Sequence, residues 1–402
     1  MLYPRYLDNI VWELTLKCNA HCAHCASAAG IDRKDNLSED EIMRICDELA
    51  EARCLKVTLI GGEAFLNPLW PKVVRKLRSL NIDVAIVTNA LCLNTDTINF
   101  LDEQGLESLG ISLDGARAST HDGIRHLKGL FDHIFSLDEQ IRKSHIPTVA
   151  ITTVTKTNIL ELPDMMKLLS GSFFDSWQLQ IGHPFGRLKE NTSLNAMEHY
   201  ITGLFIALMQ RRHKHEIEIH GMHDMGYYSD VIPNSVNIYG KNWEGCLAGK
   251  YVMGIRSNGK VTGCLSVYDD RYLDGDLREK SVSDIWNDKN FARWNKRRHR
   301  VKTLTGACQT CDYAVACCAG CSSSAIAFCG HEGELLLCYH RTEEEFKDYQ
   351  GTDAYGKIMH ELVCGSVTDD GYFKFADGSI LNSQHPLKVD DAYIQSLLDI
   401  LK

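Results

Sequence analysis

The 402-residue sequence predicts an α/β protein in which parallel strand-helix units curl into a barrel or an open doubly wound sheet, followed by a cysteine-rich second region. Three observations predict it. Short β-branched runs alternate with helix-periodic stretches over residues 1–220, the chain holds 16 cysteines, and three of these follow directly on the first strand candidate. Six alternations of this length require parallel βα units. Their crossovers are right-handed, and reactive groups belong at the carboxyl ends of the strands.

In chain order the strand candidates are Ile10 to Leu16, Lys56 to Ile60, Ile82 to Thr88, Leu109 to Leu113, Pro147 to Val154 and Trp177 to Ile181. Between them lie helix candidates at Ser38 to Ala52, Trp70 to Leu80, Thr95 to Gln104, Gly129 to Arg142 and Leu160 to Leu169, with Ala196 to His213 closing the series. Ser38 and Glu41 have the spacing of a capping box, and Asn94 or Thr95 opens another helix. Past residue 220 the segments shorten and glycines punctuate them, apart from a helix at Val282 to Trp294. Tyr372 to Leu381 reads as a hairpin across Asp377-Gly378, and Asp390 to Leu401 as a terminal helix. The expected domains are therefore residues 1–220, 240–340 and a C-terminal extension, 341–402.

Hydrophobic residues make up 44% and charged residues 24%, a globular balance. No apolar run is long enough to span a membrane, and the N-terminus lacks the basic and apolar blocks of a secretory signal, so a cytoplasmic protein is expected. The net charge of −10 argues against a general electrostatic grip on nucleic acid or anionic lipid. The basic run Lys296-Arg297-Arg298-His299-Arg300 reads as a solvated helix end. Cysteines in a long chain without an export signal stay reduced, which turns attention to metal ligation or redox chemistry.

Cys18-Asn-Ala-His-Cys22-Ala-His-Cys25 puts three thiols on one loop. Three ligands do not close a tetrahedral site, whereas a [4Fe-4S] cubane suits them, because protein then holds three irons and leaves the fourth open. Zinc would need a fourth ligand, for which His21 or His24 would serve. Position favours the cluster, since a βα barrel keeps its chemistry at this end.

At the second strand's end stands Gly61-Gly62-Glu63, where glycines let the backbone approach a ligand and a carboxylate can bind an ammonium group. The third strand ends Val87-Thr88-Asn89 and the fourth Ile111-Ser112-Leu113-Asp114-Gly115, with Arg125 following in His121-Asp122-Gly123-Ile124-Arg125. This order of segments behind a cysteine loop of that spacing resembles the radical S-adenosylmethionine (radical SAM) enzymes. The resemblance implies a partial (β/α)6 barrel with a [4Fe-4S] cluster on Cys18, Cys22 and Cys25. It places S-adenosylmethionine against Gly61, Gly62 and Glu63 through its amino group, with Ser112 and Asp114 in the ribose segment. Asn89 joins that site, Arg125 is a candidate for the carboxylate, and His24 is expected to pack beside the adenine.

The second set is Cys246, Cys264, Cys308, Cys311, Cys317, Cys321 and Cys338. Two CX2C-like pairs alone suggest zinc ribbons. The seven-cysteine pattern, with Gly259 before Cys264 and Ile285-Trp286 beyond, resembles the SPASM domain, which carries auxiliary iron-sulfur clusters. By that resemblance Cys308, Cys311, Cys317 and Cys338 hold one [4Fe-4S] cluster, while Cys246, Cys264 and Cys321 hold another with an open iron or a ligand from elsewhere. Cys318, adjoining Cys317, is the alternative ligand by position. Of the remaining cysteines, Cys46 and Cys54 read as core thiols, and Cys318 and Cys329 as structural or as hydrogen donors.

The resemblance implies three clusters, reductive cleavage of S-adenosylmethionine to a 5′-deoxyadenosyl radical, and an external electron donor. It also implies a ribosomally made precursor peptide as substrate, with oxidative crosslinking (carbon-carbon, ether or thioether) expected ahead of epimerisation or small-molecule oxidation. Leu265 stands where sulfatase-maturing members carry Asp, which disfavours formylglycine formation. Leader recognition is expected from another chain, from residues 341–402 or from the pocket. A zinc-stapled binding protein is the non-enzyme alternative.

Overall fold

The computed structural model describes residues 7–188, 192–213, 215–222, 225, 228–229, 232, 243, 245–348, 366–367, 373–374 and 399–400. Strands β1 (Asn9–Glu13), β2 (Lys56–Ile60), β3 (Asp83–Thr88), β4 (Ser108–Ser112), β5 (Thr148–Val154), β6 (Ser176–Ile181) and β7 (Glu218–Gly221) lie side by side in parallel. Helices α1 (Glu39–Glu51), α2 (Trp70–Ser79), α3 (Thr95–Glu103), α4 (Ala118–Arg125), α5 (Leu130–Ser136), α6 (Asp138–Lys143), α7 (Leu162–Ser170) and α8 (Ala196–Arg212) fill the crossovers. β4 buries four of its five residues and β3 four of six, as strands covered on both faces do. Trp12, Leu59, Ile86, Ile111, Ala150 and Trp177 are buried in the hydrophobic core.

The predicted caps are present. Ser38 Oγ accepts from the Glu41 amide while Glu41 Oε2 accepts from the Ser38 amide at 2.7 Å, and Asn94 Oδ1 accepts from the Thr97 amide at 2.9 Å. The single helix expected at Gly129 to Arg142 is instead two, α5 and α6, which meet at Leu137. The helix α4 and the strand β7 went unrecognised, each too short for its periodicity to stand out.

The sheet is open, and its free edge at β1 is covered by the second region. β8 (Val252–Ile255) pairs in parallel with β1, Asn9 facing Val252 and Trp12 facing Ile255. β9 (Lys260–Thr262) and β10 (Leu273–Asp276) continue it antiparallel, giving ten strands in the order β10-β9-β8-β1-β2-β3-β4-β5-β6-β7. The unpaired N–H and C=O groups of an open barrel's first strand are satisfied in this way. Buried Glu13 ties the same join, accepting from Arg33 at 2.8 Å and from the Ser257 amide at 3.1 Å.

Beyond the sheet come α9 (Val282–Asn287), α10 (Arg297–Thr303), α11 (Gly306–Gln309), α12 (Ala314–Cys317), α13 (Ser322–Cys329) and α14 (Tyr339–Asp348). The helix expected over Val282 to Trp294 ends at Asn287, and a 3-10 turn at Arg293–Asn295 follows. The basic run is solvated only in part, with Arg297 and Arg298 exposed and its end turned inward. Arg300 is 1% exposed and His299 bonds Glu332 at 3.0 Å, because α10 lies against the cysteine segment. Ser366–Val367 pairs antiparallel with Phe373–Lys374. The turn expected at Asp377-Gly378 and most of the terminal helix candidate lie outside the described residues. Among the described residues no helix is long and apolar enough to cross a membrane.

Candidate functional site

The carboxyl ends of β1 to β6 surround a cavity of about 330 Å³. Cys18, Cys22 and Cys25 line it, as do six of the eight residues assigned to the nucleotide: His24, Gly61, Gly62, Asn89, Ser112 and Arg125. Glu63 and Asp114 do not. Both are buried behind the wall.

The cysteine loop is held by its surroundings more than by its own residues. The Gly62 and Glu63 amides donate to the Thr15 and Lys17 carbonyls at 2.8 Å each. A Cβ at Gly61 would strike the Thr15 carbonyl, and one at Gly62 the Leu16 and Lys17 carbonyls. These glycines thus admit the incoming backbone of the cysteine loop, a closer neighbour than the ligand expected there. From the far side, Gly186 (φ 59°) lies against the Cys25 and Ala26 carbonyls. Arg187 donates its amide to Cys25 O at 3.0 Å, its Nε to Cys22 O at 2.8 Å and its Nη1 to Ala29 O at 2.7 Å. Nothing in the local pattern marked this clamp, apart from a glycine soon after a strand. Arg187→Ala is expected to lower iron retention by the loop and to cost about 1–3 kcal/mol, measured by iron assay and urea unfolding, because it strands two carbonyls.

Asp114, fully buried, accepts from Arg125 Nε at 2.6 Å, from His24 Nε2 at 2.7 Å and from the Thr153 amide at 2.9 Å. Burial alone would raise its carboxyl, but Arg125 and His24 together hold it well below the usual carboxylate range. Its role is to orient two side chains that do reach the cavity. The Asp114 amide donates to His121 Nδ1 at 3.0 Å, and burial followed by the Arg125 charge lowers the His121 pKa to about 4, so His121 is neutral with its proton on Nε2. Glu63 accepts from Thr88 Oγ1 at 2.9 Å, the Phe65 amide at 3.3 Å and the Asn89 amide at 2.8 Å. Burial raises its pKa while these donors oppose the shift. It therefore staples the end of β3, and its charge lies behind Gly62 instead of in the cavity.

The three loop thiols fit an iron-sulfur cluster. Burial pushes the Cys18 thiol up to about 11, with Cys22, Glu63 and Cys25 adding to the rise, and burial raises Cys22 as well. A metal ion offsets that desolvation, and deprotonation accompanies binding. N–H donors already point at the sulfurs: Ala20 N to Cys18 at 3.5 Å, Ala29 N to Cys25 at 3.4 Å and Arg125 Nη1 to Cys22 at 3.6 Å.

The second cysteines gather into two groups. The thiols of Cys308, Cys311, Cys317 and Cys338 act on one another electrostatically, and burial followed by the neighbouring thiols raises Cys338 to about 11. The thiols of Cys246 and Cys321 share a hydrogen bond, and Cys264 lies close enough for Cys246 to add to its burial-driven rise to about 11. Cys318 instead turns its thiol to the Val315 carbonyl at 3.2 Å. Cys46 and Cys54 are buried in the core, with pKa values of about 12 from desolvation. Cys92 lies beside the first loop, accepting from Asn19 Nδ2 at 3.4 Å.

The cavity reaches toward the second region through residues the motifs did not mark. His183, just past β6, bonds Ser323 Oγ at 3.0 Å and Ser324 Oγ at 2.8 Å. Ser323 donates its one hydroxyl proton to Ser266 O at 2.7 Å, so its oxygen accepts from His183 Nδ1. Ser266 and Tyr268, which follow Cys264, line the same cavity.

A family model described as the radical SAM superfamily matches residues 12–169, and a second, SPASM, described as an iron-sulfur cluster-binding domain, matches residues 246–312. An AdoMet-dependent heme synthase of Methanosarcina barkeri is 29% identical over 345 residues, 83% of this chain and 96% of the relative. The mycofactocin maturase MftC of Mycobacterium tuberculosis is 26% identical over 318 residues, 78% of each chain. The solved structure of Streptococcus suis SuiB bound to S-adenosylmethionine shares the fold, with a TM-score of 0.66 at 15% identity over 82% of this chain and 76% of SuiB.

Proposed function

The chain is a radical SAM protein with a SPASM domain, and from that premise we propose that it oxidises a ribosomally made peptide, joining two of its side chains by a crosslink. The observation that carries the peptide reading is the wall facing the nucleotide side. It offers Thr153, Gln178, Gln180, Ser266 and Tyr268, neutral groups that exchange hydrogen bonds with backbone amides. The two arginines among the described lining residues are engaged, Arg125 by Asp114 and Arg187 by carbonyls of the cysteine loop. A porphyrin with several carboxylates, which the heme synthase relative brings into consideration, would call for uncommitted cations.

In this reading Cys18, Cys22 and Cys25 hold one [4Fe-4S] cluster, Cys308, Cys311, Cys317 and Cys338 a second, and Cys246, Cys264 and Cys321 a third. When bound, these groups supply a 5′-deoxyadenosyl radical from S-adenosylmethionine and a sink for the electron that the product radical gives up. The protein's own residues bind and orient. Gly61, Gly62, Asn89 and Ser112 form the nucleotide wall, with His24 beside the adenine and Arg125 toward the carboxylate, both fixed by Asp114. Tyr268 and Ile181 help close the cavity against water, where stray donors would quench a radical.

Glu63→Gln is expected to weaken S-adenosylmethionine binding roughly five- to tenfold, on the order of 1 to 1.4 kcal/mol, without removing iron. The amide deletes a charge behind the ammonium position and turns an N–H toward a donor. Equilibrium binding on iron-loaded protein checks it, and unchanged affinity would take Glu63 out of the site.

The function is tested by anaerobic incubation of reconstituted enzyme with peptides encoded beside its gene, read by mass. Loss of two hydrogens with a new side-chain bond supports crosslinking. Deuterium uptake from heavy water with unchanged connectivity would replace it with epimerisation. Turnover of a carboxylated porphyrin and of no peptide would replace the substrate class.

A further inference from the structure

Between the two auxiliary cysteine groups the chain passes from Cys317 to Cys321 through three successive residues of left-handed backbone, Cys318 (φ 54°), Ala319 (φ 56°) and Gly320 (φ 62°). Two of them carry a Cβ, so the turn is strained and persists only because its surroundings impose it. Arg300 does the imposing. Its Nε donates to the Cys318 carbonyl at 3.0 Å, its Nη2 to the same carbonyl and to Gly320 O at 3.4 Å, and its Nη1 to Ser322 Oγ. Ser322 donates to Asn295 Oδ1 at 3.0 Å, and Asn295 Nδ2 donates to the Cys246 and Ala248 carbonyls at 3.0 and 2.7 Å. One buried network thus reaches Cys246 and both residues flanking Cys321.

Every acceptor of this guanidinium is neutral, and among the described residues no carboxylate pairs with it. Further cations gather there. Burial lowers the Lys250 pKa, Arg297 and Arg300 add to the fall, and Cys246 and Cys318 oppose it. A buried cation without an anion is costly. The groups at hand that become anionic are the thiols of Cys246 and Cys321, on binding metal.

We propose that Arg300 is the built-in counter-charge of the site formed by Cys246, Cys264 and Cys321, holding the Cys317 to Cys321 turn and raising the reduction potential of the cluster bound there. The inference rests on the three-cluster reading above. A cluster gains negative charge on reduction, so a fixed positive charge in a low-dielectric neighbourhood favours the reduced form. That would make this site a better electron acceptor than its thiolates alone allow.

The test uses the iron-loaded full chain as wild type, Arg300→Lys and Arg300→Gln, with iron analysis and potentiometric titration followed by electron paramagnetic resonance. Wild type with only one cluster would sink the three-cluster reading itself, before any variant is compared. With three clusters present, Arg300→Gln is expected to shift one auxiliary midpoint negative by at least tenfold in the reduction equilibrium, about 59 mV for one electron. The first cluster should stay unchanged, and Arg300→Lys should lie closer to wild type. Iron lost from Arg300→Gln and kept by Arg300→Lys also supports the charge role. Unshifted midpoints in both variants, or equal loss of iron from both, would reduce Arg300 to a structural brace and overturn the proposal.

Discussion

Replacing Cys18, Cys22 and Cys25 together by Ala is expected to abolish S-adenosylmethionine cleavage and to lower bound iron from about 12 to about 8 per chain. The three thiols sit on one loop at the cavity, and no other described cysteine lines it. The loop itself should keep its course, because Gly62, Glu63 and Arg187 donate to its backbone carbonyls and not to its sulfurs. A double Cys308→Ala, Cys311→Ala variant makes the contrast. It should lose a similar share of iron while retaining some cleavage, since that group lies in the second region. Iron content and 5′-deoxyadenosine formation, measured together, decide the matter. An auxiliary variant that keeps its first cluster and cleaves nothing would show that the division of labour is wrong.

Asp114→Asn is the second large effect, and it comes from burial. The carboxylate is the counter-charge of buried Arg125 and fixes His24, with Thr153 occupying its other oxygen. Taking away one partner of a buried pair leaves the other charge uncompensated, at a cost of about 3–5 kcal/mol. Stability in urea and S-adenosylmethionine cleavage should fall together. The sign with pH follows from the depressed carboxyl. Its contribution is present above the ordinary aspartate value of 3.8 and is lost as pH falls through the folded-state value. The difference in stability between wild type and variant should therefore be full at neutral pH and shrink on acidification. A variant as stable as wild type at pH 7 would remove Asp114 from this role.

The outcome at Glu63 and Asp114 shows how far local pattern reaches. Both were assigned to S-adenosylmethionine through the resemblance to radical SAM enzymes, and both do stand just past the carboxyl ends of strands. Neither lines the cavity, because the amides of Phe65, Asn89 and Thr153 and the Arg125 side chain claim their oxygens first. Apart from Phe65, whose amide Glu63 caps locally, those partners come from other strands and helices, and no spacing in the sequence announces them.

What the sequence determined by itself was everything governed by neighbours a few residues apart. That includes the six βα units, the caps at Ser38 and Asn94, the three-thiol loop after β1 and the order of motif segments at successive strand ends, since periodicity and short spacings report covalent proximity. Tertiary structure alone decided the rest. It sent β8 to the open edge of β1, brought Gly186 and Arg187 back over the cysteine loop and set His183 against Ser323 and Ser324. It also buried Arg300, the last residue of a run that reads as a solvated helix end. The physical reason is the same in each case. Unpaired strand edges, exposed loop carbonyls and a buried guanidinium must find partners, and the partners they find are remote in sequence, fixed by packing and not by any local code.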